Sequence, residues 1–190
     1  MTRFRTLTSP VKPFFRDNVS TDVIYAGPRA DLQTGIVAHN IFRHFRFDET
    51  GRERPESLFD KKPFDKAAIL VAGRGFGGGK TPDVAAQALR AFGVQCVTAV
   101  SFSKKFETAA RRAGILPVTV NYREAATLAE EAGEGDAITI DAEAGQIITS
   151  HGERIGISVE PGEDPEDSER SGKAGGDAAA PDHLFVSAAP

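Results

Sequence analysis

Short apolar runs alternate with helical patterns through the middle of the chain. Residues 67–72 form a continuous apolar run that predicts a strand buried on both faces, and "QCVTAVS" and "ILPVTV" predict two more strands. Between these runs, "PDVAAQALRAFG" and "SKKFETAARRAG" place apolar residues at helical spacing and end at a glycine. This β-α-β-α-β order predicts a parallel sheet of the α/β class, with the ligand site at the carboxyl ends of the strands.

The two ends of the predicted domain have shorter patterns. "PVKPFFRDNVSTDVIYAG" predicts two short strands joined by a loop, and "PRADLQTG" predicts a second loop. "IVAHNIFRHFRF" places Ile41, His44 and Phe45 on one face of a predicted helix. A further helix is predicted in "YREAATLAEEAG". The strict alternation in "DAITIDAEAGQIITSHGERIGISV" then predicts short antiparallel strands around two turns.

Composition favours one folded domain followed by a tail. With 190 residues, 40% of them hydrophobic, the chain is long enough for one sizeable core and short for two. From residue 161 onward it is rich in Pro, Gly, Ser and acidic residues, with too little apolar surface to offset the entropy of ordering. We therefore predict a domain over residues 1–160 and a disordered acidic, Gly- and Ala-rich tail over 161–190.

Charge and cysteine content argue against several kinds of partner. A formal charge of -4 and a pI near 5.6 provide no basic surface for nucleic acid. No apolar run is long enough to cross a bilayer, and "MTRFRTLTSPVKPFF" lacks the apolar centre of a secretory signal, which predicts a cytoplasmic protein without membrane contact. The single cysteine, Cys96, cannot hold a metal cluster alone, and the four histidines lack ligand-like spacing, so we predict no metal ligands.

The glycine cluster in "AGRGFGGGKTPDV" is similar to loops that bind phosphate. A P-loop requires a glycine, four residues, and then Gly-Lys-Ser/Thr. Counting back from Gly79, Lys80 and Thr81, the required glycine position holds Arg74. Pro82 also removes an amide from the start of the helix that Thr81 is predicted to cap. The spacing argues against a nucleotide site, and a phosphate site remains an alternative.

Several separate motifs resemble one known family. "RDNVSTDVIYAG", "IFRHFRFDETGRERP", "ILVAGRGFGGGKTPDVAAQALRAFGV" and "SFSKKFETAARRAGILPVTV" are similar, in order and spacing, to the small subunit of isopropylmalate isomerase. That subunit is the counterpart of the swivelling C-terminal domain of aconitase. The strongest marks are Ser-Thr-Asp at Ser20–Asp22, Phe-Gly-x-Gly at Phe76–Gly79 and Gly-Ile-Leu-Pro at Gly114–Pro117. The resemblance implies a swivelling β/β/α domain of aconitase type, with a central parallel sheet, flanking helices and short antiparallel strands.

The resemblance also implies a hydro-lyase (3-isopropylmalate dehydratase) made of two chains, most often in leucine biosynthesis. In this family an aconitase-type large subunit holds a [4Fe-4S] cluster, whose open iron acts as a Lewis acid on a small hydroxy di- or tricarboxylic acid. The small subunit closes over the substrate, fixes its carboxylates and supplies a serine alkoxide that removes the proton next to a carboxylate. A chain with one cysteine agrees with a cluster bound by the partner and none bound by this chain.

The chain departs from the family at the catalytic motif. The family has Ser-Ser-Arg-Glu after Phe-Gly-x-Gly, whereas this chain has Lys80, Thr81, Pro82 and Asp83, so Lys80 occupies the serine position. Lys80 is either a base whose neutral form is favoured by burial beside the partner, or a ligand for a substrate carboxylate or phosphate while Thr81 handles the proton. In the third alternative, catalysis is lost and the chain is a silent or regulatory partner.

The resemblance assigns the candidate site residue by residue, except Arg74, which is proposed to supply the cation that is lost with the family's arginine. The alternative without a function is that Asp22 only caps a turn and that the arginines and the glutamine of the site are ordinary surface residues. The predicted catalytic residues are Lys80, Thr81 and Asp22, and the predicted substrate-binding residues are Thr21, Arg29, Gln33, Arg74, Gly77, Gly78 and Gly79.

Overall fold

A mixed sheet of seven strands forms the centre of the protein. The computed structural model describes residues 6–34 and 37–157, apart from the side chains of Gln33 and Thr34, so the predicted boundary at 160 and the predicted tail lie outside the described residues. The strands are β1 (Thr6–Pro13), β2 (Ile69–Ala72), β3 (Cys96–Ala99), β4 (Leu116–Thr119), β5 (Ala137–Asp141), β6 (Gln146–Ile148) and β7 (Arg154–Gly156).

The strand order across the sheet is β4-β3-β2-β1-β5-β6-β7. The first four of these pair in parallel, and β1, β5, β6 and β7 pair antiparallel. The predicted parallel centre and the predicted antiparallel addition are both confirmed. Because β2 is a central parallel strand, the glycine cluster that follows it lies at the carboxyl edge of the sheet.

Three longer helices cover the two faces of the sheet. Side chains alternate between the two faces along β2. Leu70 and Ala72 belong to one apolar cluster together with the helices over residues 82–91 and 104–112, whereas Ile69 and Val71 belong to a second cluster together with the helix over residues 122–134. All four of these β2 residues are fully buried, as the continuous apolar run predicts. The α-helices are α1 (Thr21–Ile24), α2 (Asp31–Thr34), α3 (Arg43–Arg46), α4 (Pro82–Ala91), α5 (Lys104–Arg112) and α6 (Tyr122–Glu134).

Three predictions for the N-terminal third are wrong in detail. The second strand predicted in "VIYAG" is instead the end of the helical turn α1, because the Ser20 side chain accepts a hydrogen bond from the Val23 amide and caps that turn. The predicted loop at 28–35 contains the turn α2. The predicted helix over "IVAHNIFRHFRF" shortens to α3, because Phe42 adopts a left-handed conformation with φ 46°.

The side chain of one lysine on β1 is buried in the interior of the protein. Lys12 on β1 has no exposed surface, and its ammonium donates hydrogen bonds to the carbonyl oxygens of Phe59 and Phe64. The same nitrogen lies 4.9 Å from the centre of the Phe92 ring. Burial lowers the pKa of Lys12 to about 8.

Lys12 predicts a pH dependence of stability. Its pKa falls from 10.5 to about 8 on folding, so the unfolded chain binds more protons between these values and the free energy of unfolding rises as the pH increases through them. Below that window the burial penalty is fully present. In Lys12→Met this contribution is absent, so wild type should gain on the order of 3 kcal/mol relative to the variant across the window. Urea unfolding at several pH values measures the difference, and parallel profiles for the two proteins would contradict it.

Candidate active site at the glycine turn

The glycine turn after β2 is hydrogen-bonded to the Ser-Thr-Asp element. The Thr21 amide donates to the Gly78 carbonyl at 2.7 Å, and the Gly77 amide donates to the Val19 carbonyl at 2.7 Å. Ser20 and Gly78 also form a parallel bridge. Two of the three motifs that carry the family resemblance therefore form one structural unit, although 53 residues lie between Asp22 and Phe76 in the sequence.

Two of the three glycines in the turn are required by their surroundings. Gly77 has φ +81°, and a Cβ there would lie 2.1 Å from the Phe106 ring. Gly79 has φ +142°, and a Cβ there would lie 2.1 Å from Oγ1 of Thr21. At Gly78 the nearest atom to such a Cβ is a carbonyl oxygen 4.0 Å away. The backbone at these positions can therefore approach other groups closely.

Oγ1 of Thr21 is buried and has no hydrogen-bond partner among the described residues. It faces the position that a Gly79 side chain would occupy. A buried hydroxyl without a partner is costly, so its presence beside the turn indicates a site with a further use for it. Thr21 is thus in contact with the turn, and its role in substrate binding stays a prediction.

Four successive amides continue this polar surface. Within the described ranges, the amides of Gly78, Gly79, Lys80 and Thr81 donate no hydrogen bond. Thr81 holds the N-cap position of α4 as predicted, but its side chain makes no capping bond, because its ψ of 52° departs from the extended conformation of a cap. The Thr81 hydroxyl and the four amides are therefore available to an anionic ligand.

A cavity of about 450 Å³ lies beside the turn. It brings together three predicted site residues, Asp22, Arg29 and Thr81, from three separate segments of the chain. Asp22 does not cap α1, since Ser20 does, and its carboxylate is exposed. The lining residues are Asp22, Tyr25, Ala26, Gly27, Arg29, His44, Thr81 and Val84.

Lys80 and Arg74 are predicted site residues that do not line this cavity. Lys80 is exposed on the turn next to Thr81, so this chain does not supply the burial that a lysine base requires. Gln33 lies on α2, and its side chain is outside the described residues. Arg74 is placed elsewhere: its guanidinium lies 4.6 Å from the Tyr122 ring and 3.9 Å from the Asp17 carboxylate. Its predicted role in substrate binding stays a prediction.

Comparison with known proteins places the chain in a family. The model of the aconitase C-terminal domain matches residues 1–123. The chain belongs to the aconitase C-terminal domain family. Proteins named 3-isopropylmalate dehydratase small subunit are similar to this family member: the protein of Roseobacter denitrificans is 33% identical, over 85% of this chain and 82% of its own length, and that of Rhodospirillum centenum 35% identical, over 85% and 81%.

A solved structure shows the same fold. The crystal structure titled 3-isopropylmalate dehydratase (leuD) from Methanocaldococcus jannaschii is 24% identical, with a TM-score of 0.60 over 83% of this chain and 84% of that one. The predicted swivelling α/β fold and the predicted resemblance to the small subunit of isopropylmalate isomerase are confirmed. Nothing in the family match favours the phosphate-binding alternative, and the Gly75 and Gly77 amides are already bonded within the chain.

The residues of this aconitase-family chain do not fit the role of cluster ligands. Cys96 is fully buried on β3, and an iron–sulfur cluster needs several accessible thiolates. Among the described residues, the structure brings together one group of side chains of the metal-ligating type that the sequence spacing does not indicate, because the turn before β7 places His151 beside the end of α6. Ligand atoms of Glu134, Asp136 and His151 lie within 4.8 Å of one another, on a surface with no further indication of a ligand.

Cys96 predicts resistance to thiol reagents. Burial raises the pKa of its thiol from 9.0 to about 12, which lowers the thiolate fraction about 1000-fold, and the side chain is also sterically closed. We expect a chromogenic disulfide reagent to modify less than one thiol in ten in the native protein over an hour and all of them in urea. Rapid modification of the native chain would contradict the placement of β3 in the core.

In the described part of the chain, no helix is both long and apolar enough to cross a membrane.

Proposed function

We propose that this chain is the small subunit of an aconitase-type hydro-lyase similar to 3-isopropylmalate dehydratase. It would dehydrate or isomerise a small hydroxy di- or tricarboxylic acid together with a large subunit. Two relatives that are 33% and 35% identical to this chain, matched over 82% and 81% of their own length, are named 3-isopropylmalate dehydratase small subunit. The glycine turn and the cavity have the polar groups that such a site needs.

The single observation that carries the proposal is the polar surface of the glycine turn. Among the described residues, the four successive amides from Gly78 to Thr81 donate no hydrogen bond, and Thr81 also lines the cavity that contains Asp22 and Arg29. Backbone amides in succession bind carboxylates, and an arginine binds a carboxylate through two parallel hydrogen bonds. A dicarboxylic acid can thus be held at both ends by this chain while one of its faces stays open to a partner.

The candidates for removing the substrate proton are the two residues at the positions of the family's two serines. Lys80 is exposed at the edge of the turn, where a partner chain that closes on the site would bury it and favour its neutral form, as a base requires. Thr81, with its hydroxyl free of a capping bond, is the second candidate. When bound on the large subunit, a [4Fe-4S] cluster would supply Lewis acidity toward the substrate hydroxyl.

We further propose a cytoplasmic heterodimer that functions in leucine biosynthesis or a related branched-chain pathway. The family of the named relatives supports the pathway, and the exposure of Asp22, Arg29 and Thr81 in the cavity lining supports contact with a second chain. Co-fractionation of the native protein with an iron–sulfur protein tests the assembly.

Co-expression with an aconitase-type large subunit tests the function. We expect affinity capture of this chain to retain the large subunit, and the complex to form an ultraviolet-absorbing alkene from at least one hydroxy acid. A complex that assembles but converts no hydroxy acid would support the silent-partner alternative. Tight binding of ATP by the isolated chain would support the phosphate-binding alternative and contradict the proposal.

A further inference from the structure

A second cavity, of about 450 Å³, lies beyond the carboxyl end of β1. Its lining includes Phe15, Arg16, Phe45 and Tyr122. We call this cavity, together with the neighbouring Arg74, the arginine groove. Among the described residues, Tyr122 is the exposed large hydrophobic side chain, with 47% of its surface in contact with solvent. Tyrosine and arginine are the residues that most often anchor protein–protein interfaces, so this composition favours contact with another chain.

Each of the two arginines lies against an aromatic ring. The Arg16 guanidinium is 4.7 Å from the centre of the Phe45 ring, and the Arg74 guanidinium is 4.6 Å from the centre of the Tyr122 ring. A guanidinium restrained by a ring can still donate hydrogen bonds to a carboxylate. In the described ranges no carboxylate forms an ion pair with Arg16, and the ion pair of Arg74 is long, at 3.9 Å. Both cations are exposed and therefore available to carboxylates of a partner.

The backbone of the groove is held by hydrogen bonds between two distant segments. The Gly73 amide donates to the Arg16 carbonyl at 3.0 Å, and the Asn18 amide donates to the Arg74 carbonyl at 2.6 Å. The Arg74 amide also donates to the Asp17 carboxylate at 2.7 Å. The backbones that carry the two arginines are thus fixed relative to each other before a partner binds, which reduces the entropic cost of docking.

The arginine groove adjoins the candidate active site. The helical turn α1 contributes Asp22 to the cavity beside the glycine turn and Val23 to the groove. In the same way, α3 contributes His44 to the first cavity and Phe45 to the second. Because adjacent residues line both cavities, a chain that closes over the candidate active site also reaches the groove.

We infer that the arginine groove is a docking site for an acidic segment of the large subunit. This inference rests on the proposed function, which supplies the partner. Charge complementarity decides the chemistry of the occupant, because the groove presents two arginines although the whole chain has a formal charge of -4. Each arginine can bind a carboxylate through two parallel hydrogen bonds. The rings of Phe15 and Tyr122, 5.3 Å apart, provide an apolar surface for the side chains beside those carboxylates.

The first test measures the dissociation constant and the turnover of the reconstituted complex separately. Saturation titrations of the large subunit with each variant give both quantities. Arg16→Gln and Arg74→Gln each remove one cation, and Arg16→Glu reverses its sign. Arg112→Gln is the matched control, because Arg112 is exposed in the last turn of α5. A helix that connects two parallel strands returns to the amino edge of the sheet, so this arginine lies at the edge opposite the groove.

We expect Arg16→Gln and Arg74→Gln each to raise Kd at least about tenfold at low ionic strength, and Arg16→Glu to raise it further. All variants should keep the kcat of the saturated complex, and Arg112→Gln should also keep its Kd. Added salt should weaken the wild-type complex more than the variant complexes. Urea unfolding establishes that each variant is folded.

Two outcomes of the titration would overturn the inference alone. One is a wild-type Kd in folded Arg16→Glu, and the other is a loss of kcat at unchanged Kd, which would assign the arginines to the active site. A wild-type chain that binds no aconitase-type large subunit would overturn the proposed function, and this inference with it.

A carbodiimide cross-link tests the chemistry of the occupant directly. Arg16→Lys places a primary amine in the groove, and carbodiimide joins an amine to a carboxylate that lies in contact with it. We expect mass spectrometry of the complex to show position 16 joined to an aspartate or glutamate of the large subunit, and no such product from position 112 in Arg112→Lys. A cross-link from position 16 only to this chain or to a second copy of it would overturn the inference.

Discussion

Gly77→Ala is expected to lower the free energy of unfolding more than any other substitution in the glycine turn. A methyl group at position 77 would overlap the ring of Phe106, which is fully buried, and the backbone there has φ +81°. Neither the ring nor the backbone can move without disturbing the α5 contact, so we expect a loss of at least about 3 kcal/mol. Urea unfolding, or the yield of soluble protein where the loss is larger, measures the effect.

The same turn provides a graded set of controls. In Gly79→Ala the new Cβ would lie 2.1 Å from the Thr21 hydroxyl oxygen and 3.2 and 3.3 Å from the Thr21 Cβ and amide nitrogen, and the φ of +142° also disfavours alanine. We expect a smaller loss than in Gly77→Ala, because the overlap is with one short side chain and not with a buried ring. Gly78→Ala has open space and should unfold like wild type. Equal stability of all three variants, or a loss confined to Gly78→Ala, would contradict the geometry described for the turn.

Lys80→Ala is expected to lower kcat of the reconstituted complex at least about 100-fold, the usual contribution of a general base. The side chain is exposed, so the variant should assemble and unfold as wild type does. Lys104→Ala, which removes an exposed lysine at the start of α5, is the matched control and should keep full turnover.

Lys80→Arg separates the two active roles proposed for this residue. Arginine binds carboxylates but does not give up its proton at neutral pH, so the variant is inactive if Lys80 is the base and retains turnover if Lys80 binds substrate. Wild-type turnover in Lys80→Ala would rule out both roles and transfer the proton step to Thr81 or to the partner chain.

The sequence predicts the centre of the fold well because its signals are local. The apolar run at 67–72 and the helical spacing of Val84, Ala85, Ala88, Leu89 and Phe92 predict burial. The run and the middle three of these residues are buried, and Val84 and Phe92 are half-buried. The N-terminal third is less predictable. An apolar stretch such as "VIYAG" fits a strand or a buried turn equally well, and only the capping bond from Ser20 decides between them.

The candidate site, like the fold, is only partly predictable from the sequence. Asp22, Arg29 and Thr81 were assigned by resemblance, and the structure brings them into one cavity. The four histidines lack ligand-like spacing, which predicts that His44 is structural or exposed, and the structure places it exposed in the lining of that cavity. The helix that carries His44 is one turn long, owing to the left-handed Phe42, and no local pattern in the sequence indicates that break.

The hydrogen bonds that join the two motifs cannot be predicted from local patterns in the sequence. The pairing of Thr21 with Gly78 is a contact between segments more than 50 residues apart. Chain spacing contains no information about it, whereas the family resemblance indicates it indirectly, by requiring both motifs in one site.

A titration of an aconitase-type large subunit with this chain tests the central claim most directly. Alkene formation from a hydroxy acid is followed by ultraviolet absorbance while the chain is added to a fixed amount of cluster-loaded large subunit. We predict no turnover by either protein alone and a rate that rises and saturates at one equivalent. A large subunit that turns over equally well without this chain would contradict the claim that the glycine turn completes the active site.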